Sequence, residues 1–94
     1  MKTIRFREWD CSIEFFSYSN GRMAIQLSDI DDGSPVATAT INVPEIHLED
    51  REVVIKDYSE NEGLLDCLVE NGVVIKTDKQ VQLGFVTCDI CYVV

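Results

Sequence analysis

Ninety-four residues, 46% of them hydrophobic and 27% charged, suffice for one globular domain and are too few for two, and this balance excludes a disordered chain. Seventeen acids against eight Lys and Arg give a formal charge of −9, which repels nucleic acid and anionic membrane surfaces and suits a basic partner. No apolar run approaches the ~20 residues of a membrane helix, and no signal peptide follows Met1-Lys2, so a cytoplasmic location is expected, with Cys11, Cys67, Cys88 and Cys91 as free thiols.

Strand signals come first along the chain. Residues 3–8 alternate apolar and basic (Ile4, Phe6 against Arg5, Arg7), and in 11–18 Cys11, Ile13 and Phe15 alternate with Ser12, Glu14 and Phe16. Asn20-Gly21 predicts a tight hairpin turn, because both central positions of a type I′ turn need positive φ. Met23, Ile25 and Leu27 then alternate with Ala24, Gln26 and Ser28 as the returning strand. Asp31-Asp32-Gly33-Ser34-Pro35 is turn chemistry, and Val36–Ile41 resumes as a strand of small and β-branched residues. Residues 42–51 read as a connecting loop, and Glu52–Lys56 as another strand.

One amphipathic helix is predicted over about 59–71. Ser59-Glu60-Asn61-Glu62 matches a capping box, in which the serine hydroxyl takes the third residue's amide and Glu62 reaches back. Leu64, Leu65, Leu68 and Val69 form its apolar stripe, and Asn71-Gly72 its stop. Gly63 in the first turn costs about 1 kcal/mol of propensity, so docking must hold the helix. Two strands follow, Val73–Lys76 and a longer one from about Val81 to Tyr92. With no repeat, linker or low-complexity stretch, the expectation is a single α+β domain over 1–94. Its antiparallel, curled sheet has six to seven strands, with the helix packed on the apolar face.

No catalytic or cofactor motif stands out. Cys88-Asp89-Ile90-Cys91 is a C-x-x-C, yet it falls in a strand-like run, where i and i+3 side chains point to opposite faces, and no second matched pair completes a zinc site. Buried structural thiols are the expectation. Asp29-Ile30-Asp31-Asp32-Gly33 departs from a calcium loop: its glycine comes one place early, and Thr40 stands where the closing glutamate belongs. A hairpin turn accounts for it. His47, the single histidine, sits in the acidic loop without a nucleophile elbow anywhere in the chain, and is expected to be solvent-exposed. A phosphate-binding glycine loop and a basic patch with aromatic residues are both missing from the sequence.

Charge on the helical segment is the most informative pattern. Asp57, Glu60, Glu62, Asp66 and Glu70 lie between Lys56 and Lys76 with no base among them. Glu62, Asp66 and Glu70 are spaced four apart, which on a helix makes one stripe of like charges, mildly destabilising and therefore slightly unusual. A plain solvated face is the bland reading; a surface that meets a basic partner is the sharp one. Duplex DNA carries a charge per ~1.7 Å, far denser than this stripe. Mimicry of a nucleic acid would also need Glu49, Asp50 and Glu52, or Asp29, Asp31 and Asp32.

Three stretches carry a resemblance: Ser19-Asn20-Gly21-Arg22-Met23-Ala24-Ile25-Gln26-Leu27, Gly33-Ser34-Pro35-Val36-Ala37-Thr38-Ala39-Thr40, and above all Ile55-Lys56-Asp57-Tyr58-Ser59-Glu60-Asn61-Glu62-Gly63. Together they resemble a family of small uncharacterised proteins carried on bacterial plasmids, conjugative elements and phages. The likeness covers most of the chain but not Cys88-x-x-Cys91. It implies a mobile-element setting and no mechanism. Small acidic proteins of mobile elements include anti-CRISPR and anti-restriction inhibitors, linked to this chain by analogy of size, charge and setting. The expectation is thus a non-enzymatic interaction protein without cofactor or metal, binding a larger basic protein through Asp57, Glu60, Glu62, Asp66 and Glu70. The alternative is a self-associating accessory protein, a homodimer through a sheet edge or an aromatic patch of Trp9, Phe16 and Tyr18.

Overall fold

The structure, a computed structural model, describes residues 3–94. Its first unit is a run of antiparallel neighbours: β1 (Thr3–Phe6), β2 (Trp9–Ser17), β3 (Met23–Asp29) and β4 (Pro35–Thr38), paired in that order. β1 and β2 turn on Arg7-Glu8, with Arg7 held at φ 56°, and Phe6 lies opposite Trp9. Asn20-Gly21 does make the next hairpin, but not as the two central residues of the turn. The Gly21 N–H donates to the Tyr18 carbonyl at 2.8 Å and only Gly21 takes positive φ, so Ser19 and Asn20 form the turn and the glycine returns the chain to β3. Asp29–Ser34 closes the third hairpin through main-chain bonds between its two ends.

The predicted strand 36–41 is divided between two sheets. β4 stays with β3, whereas β5 (Thr40–Ile41) pairs with β6 (Glu52–Ile55). Ala39 is the corner: its N–H donates to Ile25 of the first sheet, and its carbonyl accepts from Lys56 beyond β6, each at 2.8 Å. Fully buried, it has no side chain beyond Cβ to obstruct the change of direction. The single sheet of six to seven strands is therefore corrected to two four-stranded sheets, the second ordered β5-β6-β8-β7.

β7 (Val74–Leu83) and β8 (Val86–Val93) also depart from expectation. The chain does not run straight from Val81 to Tyr92; it reverses at Gly84-Phe85, with Gly84 at φ 62° and Leu83 opposite Val86. A bulge between Lys76 and Gln80 joins the two expected segments into one strand.

The helix is shorter than its pattern. Ser59–Asn61 is a 3-10 turn, Gly63 at φ 91° interrupts the path, and α1 proper spans Leu64–Glu70, seven residues. The capping box does not form, because Ser59 sits at φ 56° with no capping bond from its side chain. The stop at Asn71-Gly72 holds: Val73 N–H reaches the Leu68 carbonyl and Gly72 N–H the Val69 carbonyl, the paired bonds of a glycine-terminated helix. Leu64, Leu65 and Leu68 are buried, while Val69 is exposed and leaves the predicted stripe. Each buried leucine contributes about 1.5–3 kcal/mol, and this docking is what keeps so short a helix formed.

Two cores result. The main one lies between the sheets, with Ile4, Phe6, Ile13, Ile25 and Leu27 facing Val53, Ile55, Val74 and Val93, closed by the three leucines. The second lies on the other side of the second sheet, where loop residues Val43, Ile46 and Leu48 cover Val54, Cys88 and Ile90. Arg22 pins that loop, its guanidinium donating to the carbonyls of Val43 and Ile46. Among the described residues, no helix is long and apolar enough to cross a membrane.

Candidate functional site

The segment linking β6 to α1 carries the predicted acids, and the structure gives each a different job. Asp57 is half-buried, and its Oδ1 accepts the Leu65 N–H at 2.9 Å, supplying the cap that Ser59 does not. The exposed Glu60 carboxylate pairs with Lys56 Nζ at 2.6 Å. That hydrogen bond holds Glu60 below its ordinary carboxylate range and Lys56 above its ordinary range. Glu62 is exposed and precedes the break at Gly63; its backbone carbonyl accepts from Arg7 Nη2 at 2.9 Å. Only Asp66 and Glu70 are one turn apart on α1, both exposed. The three-member stripe is thus corrected to a pair, since Gly63 removes Glu62 from helical register.

Other carboxylates gather on two loops. In Asp29–Ser34, Asp29 Oδ1 accepts the Asp31 N–H, and Asp32 Oδ1 accepts both the N–H and the hydroxyl of Ser34, at 2.9 and 2.7 Å. Those bonds lower the Asp32 pKa, and they knit a turn from its own side chains. In the 42–51 loop Glu45, Glu49 and Asp50 are exposed, as is His47, whose Nε2 lies 3.1 Å from Glu49. Ion pairs among the described residues engage Asp10, Glu49, Glu52 and Glu60. Most of the 17 carboxylates are therefore exposed and without an ion-pair partner among the described residues.

The cysteines separate as their spacing requires. Cys91 points into the main core and Cys88 into the second, on opposite faces of β8. Burial raises both thiols, Cys91 to about 11. Among the described residues no group of three His, Cys, Asp or Glu side chains is placed to hold a metal ion.

One feature escaped the sequence reading. Between β4 and the 56–61 segment runs an open cleft of about 580 Å³, lined in part by Tyr18, Thr38, Thr40, Tyr58 and Asn61. The Tyr18 hydroxyl is bound to the Thr40 hydroxyl at 2.8 Å, and Lys56 Nζ stands 5.4 Å from the centre of the Tyr58 ring. The tyrosine of the proposed aromatic patch is therefore half-buried in this cleft, whereas Trp9 and Phe16 remain 36% and 48% exposed. The cleft arises where one strand leaves a sheet for another, a parting no local pattern announces.

Comparison with protein-family models, with curated proteins and with solved structures finds no match.

Proposed function

We propose that this chain is a non-enzymatic, acidic interaction protein of a mobile genetic element that docks on a basic, nucleic-acid-handling surface of a larger host protein, as anti-CRISPR and anti-restriction inhibitors do. The observation that carries the reading is the set of exposed carboxylates without an ion-pair partner among the described residues: Asp66 and Glu70 on α1, Asp31 and Asp32 in one loop, and Glu45 and Asp50 in the other. The surface of a small domain ordinarily mixes both signs and reserves a large field of one sign for steering; self-repulsion of one sign is offset when a cationic groove receives it. The binding acids are Glu62, Asp66 and Glu70, with Asp57 and Glu60 shaping the segment that presents them. The test is a pull-down of host proteins by the tagged chain across a salt series, repeated with Asp66→Lys/Glu70→Lys. The expected result is a nucleic-acid-handling protein that salt releases and the double variant fails to capture; equal capture by the variant overturns the assignment.

A second reading, self-association, draws on Ile75, Tyr92 and Val94, all exposed at one end of the second sheet, where β7 is one of its two edge strands. Light scattering separates the two, since only self-association requires a dimer.

A further inference from the structure

The open edge of β4 is half-filled by a side chain. Ala39 donates its N–H to Ile25, so Ala39 and, two residues earlier, Ala37 are the hydrogen-bonded positions against β3. Antiparallel pairing alternates, so Thr38 between them turns its N–H and C=O away from β3. On that side β4 has no neighbouring strand among the described residues, because it ends its sheet. The Asn61 amide stands there instead: Nδ2 donates to the Thr38 carbonyl at 2.8 Å. Its Oδ1 has no hydrogen-bond partner among the described residues, although the side chain is only 1% exposed. A buried acceptor left in that state has lost its hydration without gaining a replacement bond, a net cost to the fold.

Thr38 N–H and Asn61 Oδ1 are therefore a donor and an acceptor on the same side of β4, carried by two residues that line the cleft. A neighbouring strand would engage both at once. Charge selects further, because the net charge of −9 favours a basic segment, while within the cleft Lys56 now occupies both Glu60 and the Tyr58 ring, a place that an incoming cation can take over.

We infer that the cleft binds an extended peptide bearing a basic side chain, added to the free edge of β4. Its carbonyl accepts the Thr38 N–H and its N–H donates to Asn61 Oδ1. The main chain supplies the bonds, as in other strand additions, and the cationic side chain displaces Lys56 from Glu60 and the Tyr58 ring. Because Asn61 is so enclosed, the cleft wall must yield as the peptide enters, which favours a segment anchored along the whole of Pro35–Thr38 over a small molecule. This proposal rests on the acidic-interaction reading only for the sign of the peptide's charge; the edge geometry is independent of it.

The probe is a phage-displayed random peptide library panned on the intact chain, followed by titration of a recovered peptide into isotope-labelled protein. The expected peptides carry Lys or Arg and move the Thr38 backbone amide and the Asn61 side-chain NH₂ resonances. Thr38→Pro removes an N–H that β3 does not use, and edge strands tolerate proline, so this variant is expected to bind about tenfold more weakly. Asp66→Lys/Glu70→Lys binds the peptide undiminished at physiological salt, so the cleft and the acidic face fail separately. Recovery of no peptide, shifts centred elsewhere, or full affinity in a folded Thr38→Pro overturns the proposal. Should that variant not fold, the shift map of the native chain decides alone.

Discussion

Asp57 caps a helix to which it does not belong: its Oδ1 accepts the Leu65 N–H from eight residues upstream. Ser59, in the position where a capping box was expected, makes no such bond and sits at φ 56°. Asp57→Ala is therefore expected to lower stability by about 1 kcal/mol, the ordinary cost of a lost cap. Ser59→Gly is expected to be neutral, or stabilising by up to about 1 kcal/mol, because glycine removes the left-handed strain. Urea unfolding of the two variants checks both signs. Equal losses would restore the serine as the cap.

Arg22 holds the 42–51 loop over the second core through the carbonyls of Val43 and Ile46. Both bonds come from one planar fork, which lysine does not reproduce. Arg22→Lys should thus behave nearly as Arg22→Ala, each costing about 1–2 kcal/mol. Hydrogen exchange is the sharper measurement. The Ile46 amide, bonded to the Val43 carbonyl, should lose protection in both variants, while Ile25 in the main core keeps most of its own.

How much of this was legible beforehand follows from what local chemistry can specify. Alternation from Ile4 to Leu27 marked three strands, and Asn20-Gly21 marked the hairpin between the second and third, because those signals are set by neighbours in sequence. Gly84-Phe85 was missed, having no Asn or Asp to announce it, and the turn at Arg7-Glu8 has neither glycine nor proline. Ala39 lies in an unbroken apolar–polar run, so nothing near it shows that its two peptide groups serve different sheets. The same holds for Val43, Ile46 and Leu48: a loop composition concealed the residues that cover a second core. Of the candidate site, the exposure of Asp66 and Glu70 was readable from helical spacing. The loss of Glu62 from that spacing depended on the φ of Gly63, and the Thr38–Asn61 bond depended on tertiary structure.

Glu52 gives the fold an acid-sensitive contact. Its carboxylate is 7% exposed, 2.6 Å from Lys79 Nζ, and also accepts the Glu49 N–H. The Lys79 hydrogen bond is the main cause that lowers its pKa below 4.5. A lowered folded value means stability that is present above the unfolded value and lost as pH falls through the folded one. Lys79→Met should therefore be less stable than the parent at pH 7, with the difference closing below about pH 4.5. Lys79 is partly exposed, so solvent moderates the size of the effect. Comparing the two proteins at each pH removes most of the shared repulsion among the other acids. A difference that stays constant down to pH 3 would sink the linkage.

Cys88 and Cys91 face different cores, and burial raises both thiols, so neither supplies much thiolate near neutrality. Alkylation of the folded chain at pH 8 should be slow at both and accelerate together on unfolding. Because their side chains diverge across β8, zinc should leave the melting temperature unchanged, as should a chelator. Peptide mapping by mass spectrometry reads the first expectation and a thermal scan the second. Rapid modification of Cys91 alone would mean that the main core opens locally.

Asp66 and Glu70 allow folding and binding to be pulled apart. They lie four residues apart on α1 with no base in the last turn, an arrangement mildly unfavourable to the isolated helix. Glu70→Lys places an ammonium one turn after Asp66, the better orientation for such a pair, and near the carbonyl end of the helix dipole. The variant should be more stable by about 0.2–0.5 kcal/mol. If the acidic face meets a basic partner, the same change should weaken capture from host extract, most clearly at low salt, where surface charges act furthest. A substitution that only damaged the fold would lower both quantities, and one on an idle solvated face would raise stability and leave capture alone. Opposite movement of the two is the signature of charge retained for a partner at the expense of the helix. Chemical denaturation and a salt-graded pull-down on the same preparation measure both.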